Sequence, residues 1–178
     1  MRSQILAILL IAATLMIPSR SLAEPAELVD FAFEDQFRNV HRRADVQGKI
    51  VLLIGSDKGG SSFNGSWSQA IRASLKDHPE YDQISELPYS DLRGVPFFMK
   101  GFIRSKFPED PDNWVLMDWK GVIAKAYEFV PKASNTLVFA PDGSLVHHVA
   151  GRELEEEKLQ QTVDAIRTLL DQLDAGQR

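Results

Sequence analysis

The stretch Gly48-Lys49-Ile50-Val51-Leu52-Leu53-Ile54-Gly55-Ser56-Asp57-Lys58-Gly59-Gly60-Ser61-Ser62 decides the fold. Ile50 to Ile54 form an unbroken β-branched and aliphatic run. A run without polar alternation suits a strand buried on both faces, inside a sheet covered by helices. It stops at Gly55, and a polar, glycine-rich turn leads into a helix predicted over about 62 to 77. There Trp67, Ala70, Ile71 and Leu75 fall at helical spacing, so one face packs on the sheet. Pro79 lies just past its end.

Outward from this unit, the pattern repeats. Leu28 to Phe33 alternates roughly and predicts an edge strand, and Glu34 to Asp45 is polar enough for a short helix or a loop. Ile84 to Tyr89 reads as a second strand. Val95, Phe98, Met99, Phe102 and Ile103 recur at three- and four-residue steps, with Pro96 suited to a first helical turn. That stripe predicts a core face, leaving Phe97 and Phe107 outside it, where an exposed apolar patch would mark a partner. Trp114 to Met117 is a strand ended by Asp118, and Gly121 to Phe129 a short helix. Thr136 to Ala140 and Leu145 to Val149 flank Pro141-Asp142-Gly143, in which Pro presets φ and Gly accepts a positive φ. Leu159, Val163, Ile166, Leu170 and Leu173 make one stripe of a final helix, with the acids Glu153 to Glu157 as its solvated start. This order predicts an α/β three-layer sandwich with a mixed central sheet and flanking helices, the terminal hairpin supplying its antiparallel edge.

At the N-terminus, Arg2 precedes an apolar run from Ile5 to Ile17, broken by Pro18 and Arg20 and followed by Ser21-Leu22-Ala23. The run is shorter than the ~20 residues a spanning helix needs. It predicts a secretory signal peptide over residues 1–23, cleaved after Ala23, rather than an uncleaved anchor. Residues 24–178 then form one domain in the periplasm, with no stable membrane span. Loss of the leader's two arginines turns the net charge of −5 into −7. So acidic a chain offers no electrostatic footprint for nucleic acid. Cysteine is absent altogether, and a domain of this size needs no disulfide to fold.

Three stretches carry a resemblance. Gly48 to Leu53 resembles the GKVVLV strand of thioredoxin-like and peroxiredoxin-like proteins. Asp118-Trp119-Lys120-Gly121, followed by Ala124 and Tyr127, resembles their central D-x-x-G-x-x-A-x-x-Y stretch. Asn135 to Gly143 resembles the hairpin before their closing helix. More narrowly, Leu28 to Leu173 is similar to the YtfJ family of bacterial periplasmic proteins, thioredoxin-like and without a settled biochemical role. The resemblance implies a thioredoxin-like fold and places the former redox turn at Gly55 to Ser62. Two departures follow. The cysteines are missing from that turn, and Asn135 stands where redox-active relatives keep a cis-proline. A thiolate is the nucleophile of disulfide exchange and peroxide reduction, and neither Ser nor Asp replaces it. A cis peptide is chiefly a proline feature, so an ordinary trans bond is expected before Asn135.

The candidate binding residues are Lys58, Gly59, Gly60, Ser61, Ser62, Asp118 and Asn135. The backbone N–H groups and positive end of the helix make an anion site conceivable at the turn, with Lys58 adding charge. The simpler reading is that Ser61 or Ser62 caps the helix. Asp118 is placed either to meet a ligand or to cap the next turn through Lys120 and Gly121. Ser61 or Ser62 with His147 or His148 and an aspartate would make a hydrolase set, but no G-x-S-x-G elbow is present. His147 and His148 are strand neighbours that point to opposite faces, so no shared metal is expected there, and His41 and His78 lie in polar contexts elsewhere. No metal, cofactor or catalytic residue is assigned. The leading expectation is a partner- or ligand-binding protein without thiol chemistry. The alternatives are a thiol-independent enzyme and an accessory to another protein's redox function. On the binding reading, alanine at Lys58 and Asn135 would weaken capture and leave the melting temperature nearly unchanged.

Overall fold

The computed structural model describes residues 27–177, so the predicted leader lies outside the described residues. A small antiparallel pair, β1 (Ala32–Glu34) and β2 (Val40–Arg42), precedes a 3-10 helix at Arg43–Val46. Next come β3 (Ile50–Ser56), α1 (Ser61–Leu75), β4 (Ile84–Asp91), a 3-10 turn at Phe97–Met99 and α2 (Lys100–Arg104). Then follow β5 (Leu116–Asp118), α3 (Val122–Ala126), β6 (Ser134–Phe139), β7 (Leu145–Gly151) and α4 (Glu156–Gln177). The main sheet has the order β5-β4-β3-β6-β7. β3, β4 and β5 run parallel, while β6 and β7 run antiparallel to their neighbours.

All of β3 is buried, as its continuous apolar run requires. Its alternation divides the core in two. Ile50, Leu52 and Ile54 meet Trp67, Ile71 and Leu75 of α1 and Leu159, Val163, Ile166 and Leu170 of α4. Val51 and Leu53 face the other way, into Ile123 and Ala124 of α3, Tyr127, and Leu28 and Phe31 of the N-terminal segment. The molecule is therefore a three-layer α/β sandwich with a mixed sheet, as the element order predicted.

Three local expectations are corrected. The polar stretch 34–45 is neither a helix nor a loop alone: it completes β1, turns, returns as β2 and ends in the 3-10 helix that begins at Arg43. The Leu28–Phe33 segment does not edge the main sheet. Only its last residues join β1, in a separate two-stranded sheet, while Leu28 and Phe31 plug the core. The stripe at Phe98, Met99, Phe102 and Ile103 does not form a core face. α2 has only five residues, too few to lay a two-turn stripe on a sheet. Phe98 and Phe102 stay exposed, and Met99 and Ile103 are only half-buried.

Candidate functional site

The strand registers gather the candidates at one end of the sheet. Ser56 sits beside Ser90, Asp91 beside Asp118, and Gly55 beside Asn135. This is the C-terminal edge of the three parallel strands, where open α/β sheets receive ligands.

At the turn, Asp57 organises the backbone. Its carboxylate accepts the Gly60 N–H at 2.9 Å and the Lys132 N–H at 3.1 and 3.2 Å. The chain thus supplies its own anion at the turn where an external one was conceivable. Ser61 and Ser62 do not cap α1: the N-cap is Gly60, with no side-chain cap bond, and Ser61 Oγ donates to the Lys58 carbonyl at 3.0 Å. Gly60 is required by close approach, because a Cβ there would lie 2.3 Å from the Ala133 carbonyl oxygen. Lys58, Gly59 and Ser62 are exposed.

Asn135 and Asp118 are built into the scaffold. Asn135 is fully buried; its Oδ1 accepts the Val130 N–H at 2.8 Å, and its Nδ2 donates to the Val130 and Ala133 carbonyls at 3.1 Å each. Its peptide bond is trans, like all others among the described residues. Asp118 is also fully buried. Oδ1 accepts the N–H groups of Lys120 and Gly121, and Oδ2 accepts that of Ile123 and the Tyr89 hydroxyl, at 2.8 to 3.1 Å. Burial, and then the Asp118 carboxylate, push the Tyr89 hydroxyl far above the usual tyrosine value, so it stays a donor. Of the two readings of Asp118, the geometry is that of the cap. The Asn135 amide closes the 130–134 loop, so alanine there is expected to lower the melting temperature rather than leave it nearly unchanged.

A cleft of about 550 Å³ opens beside the turn. One wall is a polar stripe of α1, namely Ser61, Asn64, Gly65, Ser68, Gln69 and Arg72; another is β4 from Glu86 to Ser90; Phe107, Pro108 and Asp112 to Val115 form the third. β5 pairs with Tyr89 to Asp91, so among the described residues β4 has no strand neighbour on that side over Ile84 to Pro88. Pro88, lacking an N–H, is tolerated at such an edge and discourages further strand pairing. Arg72 closes one end by a two-oxygen contact with Glu86, Nε donating at 2.8 Å to each. Asn64 Nδ2 donates to Ser56 Oγ at 3.0 Å, while Asn64 Oδ1 is buried with no partner among the described residues.

The third wall is pinned from the N-terminal pair. Gln36 donates to the carbonyls of Pro108 and Asn113 and accepts the Val115 N–H. His41 stacks on Trp114 at 4.2 Å and bonds buried Asp35 at 3.0 Å. Of the predicted residues, only Ser61 lines the cleft. The stripe at steps of three and four from Ser61 to Arg72 was visible in the sequence as the polar side of α1. Its third wall was not, because Gln36 and His41 reach it across more than seventy residues.

The hydrolase set is not assembled. His147 bonds Thr162 of α4 at 3.0 Å, and His148 lies on the opposite face, 6.2 Å from the Phe129 ring. No group of three or more His, Asp or Glu side chains able to hold a metal stands together among the described residues.

No family model and no curated protein matches the chain. Solved structures do. The exposed lipoprotein thioredoxin of Streptococcus pneumoniae is 19% identical with a TM-score of 0.56, over 76% of this chain and 98% of that one. A protein assigned as the thiol:disulfide interchange protein DsbE of Chlorobium tepidum is 16% identical with a TM-score of 0.58, over 84% and 99%. The thioredoxin domain of a thiol-disulfide oxidoreductase from Bacteroides vulgatus is 19% identical with a TM-score of 0.52, over 82% and 99%. The chain therefore has the thioredoxin fold. Its neighbours are thiol-disulfide oxidoreductases, and it carries no cysteine.

Proposed function

We propose that this is an exported, periplasmic, YtfJ-like protein that uses the thioredoxin fold for binding rather than for disulfide exchange. The turn that would carry the thiol is locked by Asp57 into a connector, and the open chemistry has moved one wall away, into the cleft. The observation that carries this reading is Asn64, which lines that cleft and whose carboxamide oxygen is buried with no partner among the described residues. A buried acceptor without a donor is costly, and a ligand N–H or O–H would satisfy it. Phe107, Trp114 and Leu87 offer apolar contact for the rest of such a ligand. The fitting ligand is thus a small molecule, or a short segment of a partner, joining a hydrogen-bond donor to an apolar body. The thiol-independent enzyme is the weaker reading, since Ser61, His147 and Asp118 serve separate structural bonds.

A fragment screen by NMR tests this, using small aromatic amides and alcohols. Shifts are expected at the Asn64 side-chain amide, Ser68 and the Trp114 indole, and Ser68→Trp should abolish them by filling the cleft. Shifts confined elsewhere, or surviving Ser68→Trp, would overturn the assignment. Dithiol-dependent disulfide reduction should remain at the buffer rate, because no side chain can form a mixed disulfide.

A further inference from the structure

The first part of the excursion between β4 and β5 has a charge and a surface unlike the rest of the chain. This part, Leu92 to Pro108, carries Arg93, Lys100, Arg104 and Lys106 and no acid, in a protein of net charge −5; Arg93 pairs with Asp91, and the acids Glu109, Asp110 and Asp112 come only in the return towards β5. The same stretch exposes Phe97 by 83%, Phe98 by 76% and Phe102 by 57%. Rings so little covered stand proud of the surface. The excursion is also held in place: the Arg104 guanidinium donates to the Asp35 carbonyl at 2.7 Å and pairs with Glu34. Cations are interleaved with the rings. Lys106 Nζ lies 4.7 Å from the Phe102 ring centre, and Lys100 Nζ 5.0 Å from that of Trp119.

We propose that this patch docks the protein on an anionic lipid bilayer, with Phe97, Phe98 and Phe102 in the headgroup–acyl boundary and Lys100 and Lys106 at the phosphates. Protruding rings bordered by cations match interfacial insertion, in which aromatic groups enter the boundary and lysines reach up to the headgroups. Charge complementarity selects the surface and the orientation, since an anionic bilayer attracts this stretch and repels the acidic remainder. No helix among the described residues is long and apolar enough to cross a membrane, so the contact is peripheral. It rests on a different observation from the cleft and does not depend on it.

The cysteine-free chain permits a local test. Gly101 lies in α2, and a Cβ there meets nothing within 4 Å. Gly101→Cys labelled with an environment-sensitive dye gives a reporter inside the patch, and Gly176→Cys in α4 gives a control. Protein recovered after export is mixed with phosphatidylglycerol or phosphatidylcholine vesicles. With the anionic vesicles the label at 101 should brighten about twofold, the label at 176 should not, and about 0.5 M salt should reverse the change. Phe98→Ser with Phe102→Ser should weaken the response about tenfold without lowering the melting temperature, as both rings are exposed. The 101 label reads the patch itself, even where another part of the chain holds the vesicle. No response at 101, an equal response to neutral vesicles, or retention by the Phe variant overturns the proposal. So does brightening with protein concentration alone, which would give the patch to a second copy of the chain, or with an acidic protein in place of lipid.

Discussion

Replacing Asn135 by alanine removes the acceptor of the Val130 N–H and the donors to two carbonyls, all in a fully buried setting. The expected cost is about 2 kcal/mol, or a fall of roughly 4–8 °C in melting temperature for a domain of this length. Calorimetry of Asn135→Ala beside Lys58→Ala checks it: the exposed Lys58 variant should melt like the parent, and equal melting of both would dismiss the amide as a staple. Asn135 shows what was legible at this scale. Its place near the turn could be read from the hairpin, but its bonds to Val130 and Ala133 depend on how the 130–134 loop bends back. Lys132, at φ 58°, makes part of that bend, and nothing in its side chain announces a positive φ. Asp118 differs, because its acceptors face Lys120 and Gly121 close by in sequence, so the cap could be anticipated.

Among the elements, the wall of the cleft from Phe107 to Val115 is turned locally by Asp110, which caps the Pro111–Asn113 turn, and is pinned in place from the β1–β2 pair. Gln36 lies in the turn between those strands and takes the Val115 N–H at 2.9 Å. Gln36→Ala should raise hydrogen exchange at the Val115 amide about tenfold, the loss of one hydrogen bond, and leave the β3 amides unchanged. Unchanged protection at Val115 would show that the His41–Trp114 stack suffices. Strands and long helices were readable because burial on both faces, or a stripe over several turns, leaves a periodic trace. The Val95–Ile103 stripe misled because period reports a shared face, not what covers it. Five helical residues cannot carry that face to the sheet, so half of the stripe points to solvent.

For the whole molecule, pH should erode stability in two stages. Burial holds His147 below the ordinary histidine value, and burial plus the neighbouring His147 does so for His148. The fold thus favours their neutral forms. Their contribution is complete above about pH 6.5 and is lost as pH falls through that value towards the depressed ones. For Asp35, burial alone would raise the carboxyl, but hydrogen bonds from His41, Asn39 and Phe37 outweigh it and hold the group low. Its contribution is present above about pH 3.9 and fades below. Urea midpoints should therefore decline from pH 7 to 5, then more steeply below 4, and His147→Asn should flatten the first stage. Constant midpoints from pH 7 to 5 would refute the histidine stage. The lacing of the N-terminal segment bears on synthesis as well as on stability. The Leu28 N–H bonds the Gly143 carbonyl, the Val29 N–H bonds the Tyr127 hydroxyl, and that hydroxyl in turn bonds the Glu27 carbonyl. A chain made from its N-terminus must hold these first residues unmatched until position 143 has emerged, so a nascent chain cut short before Tyr127 leaves them open to protease.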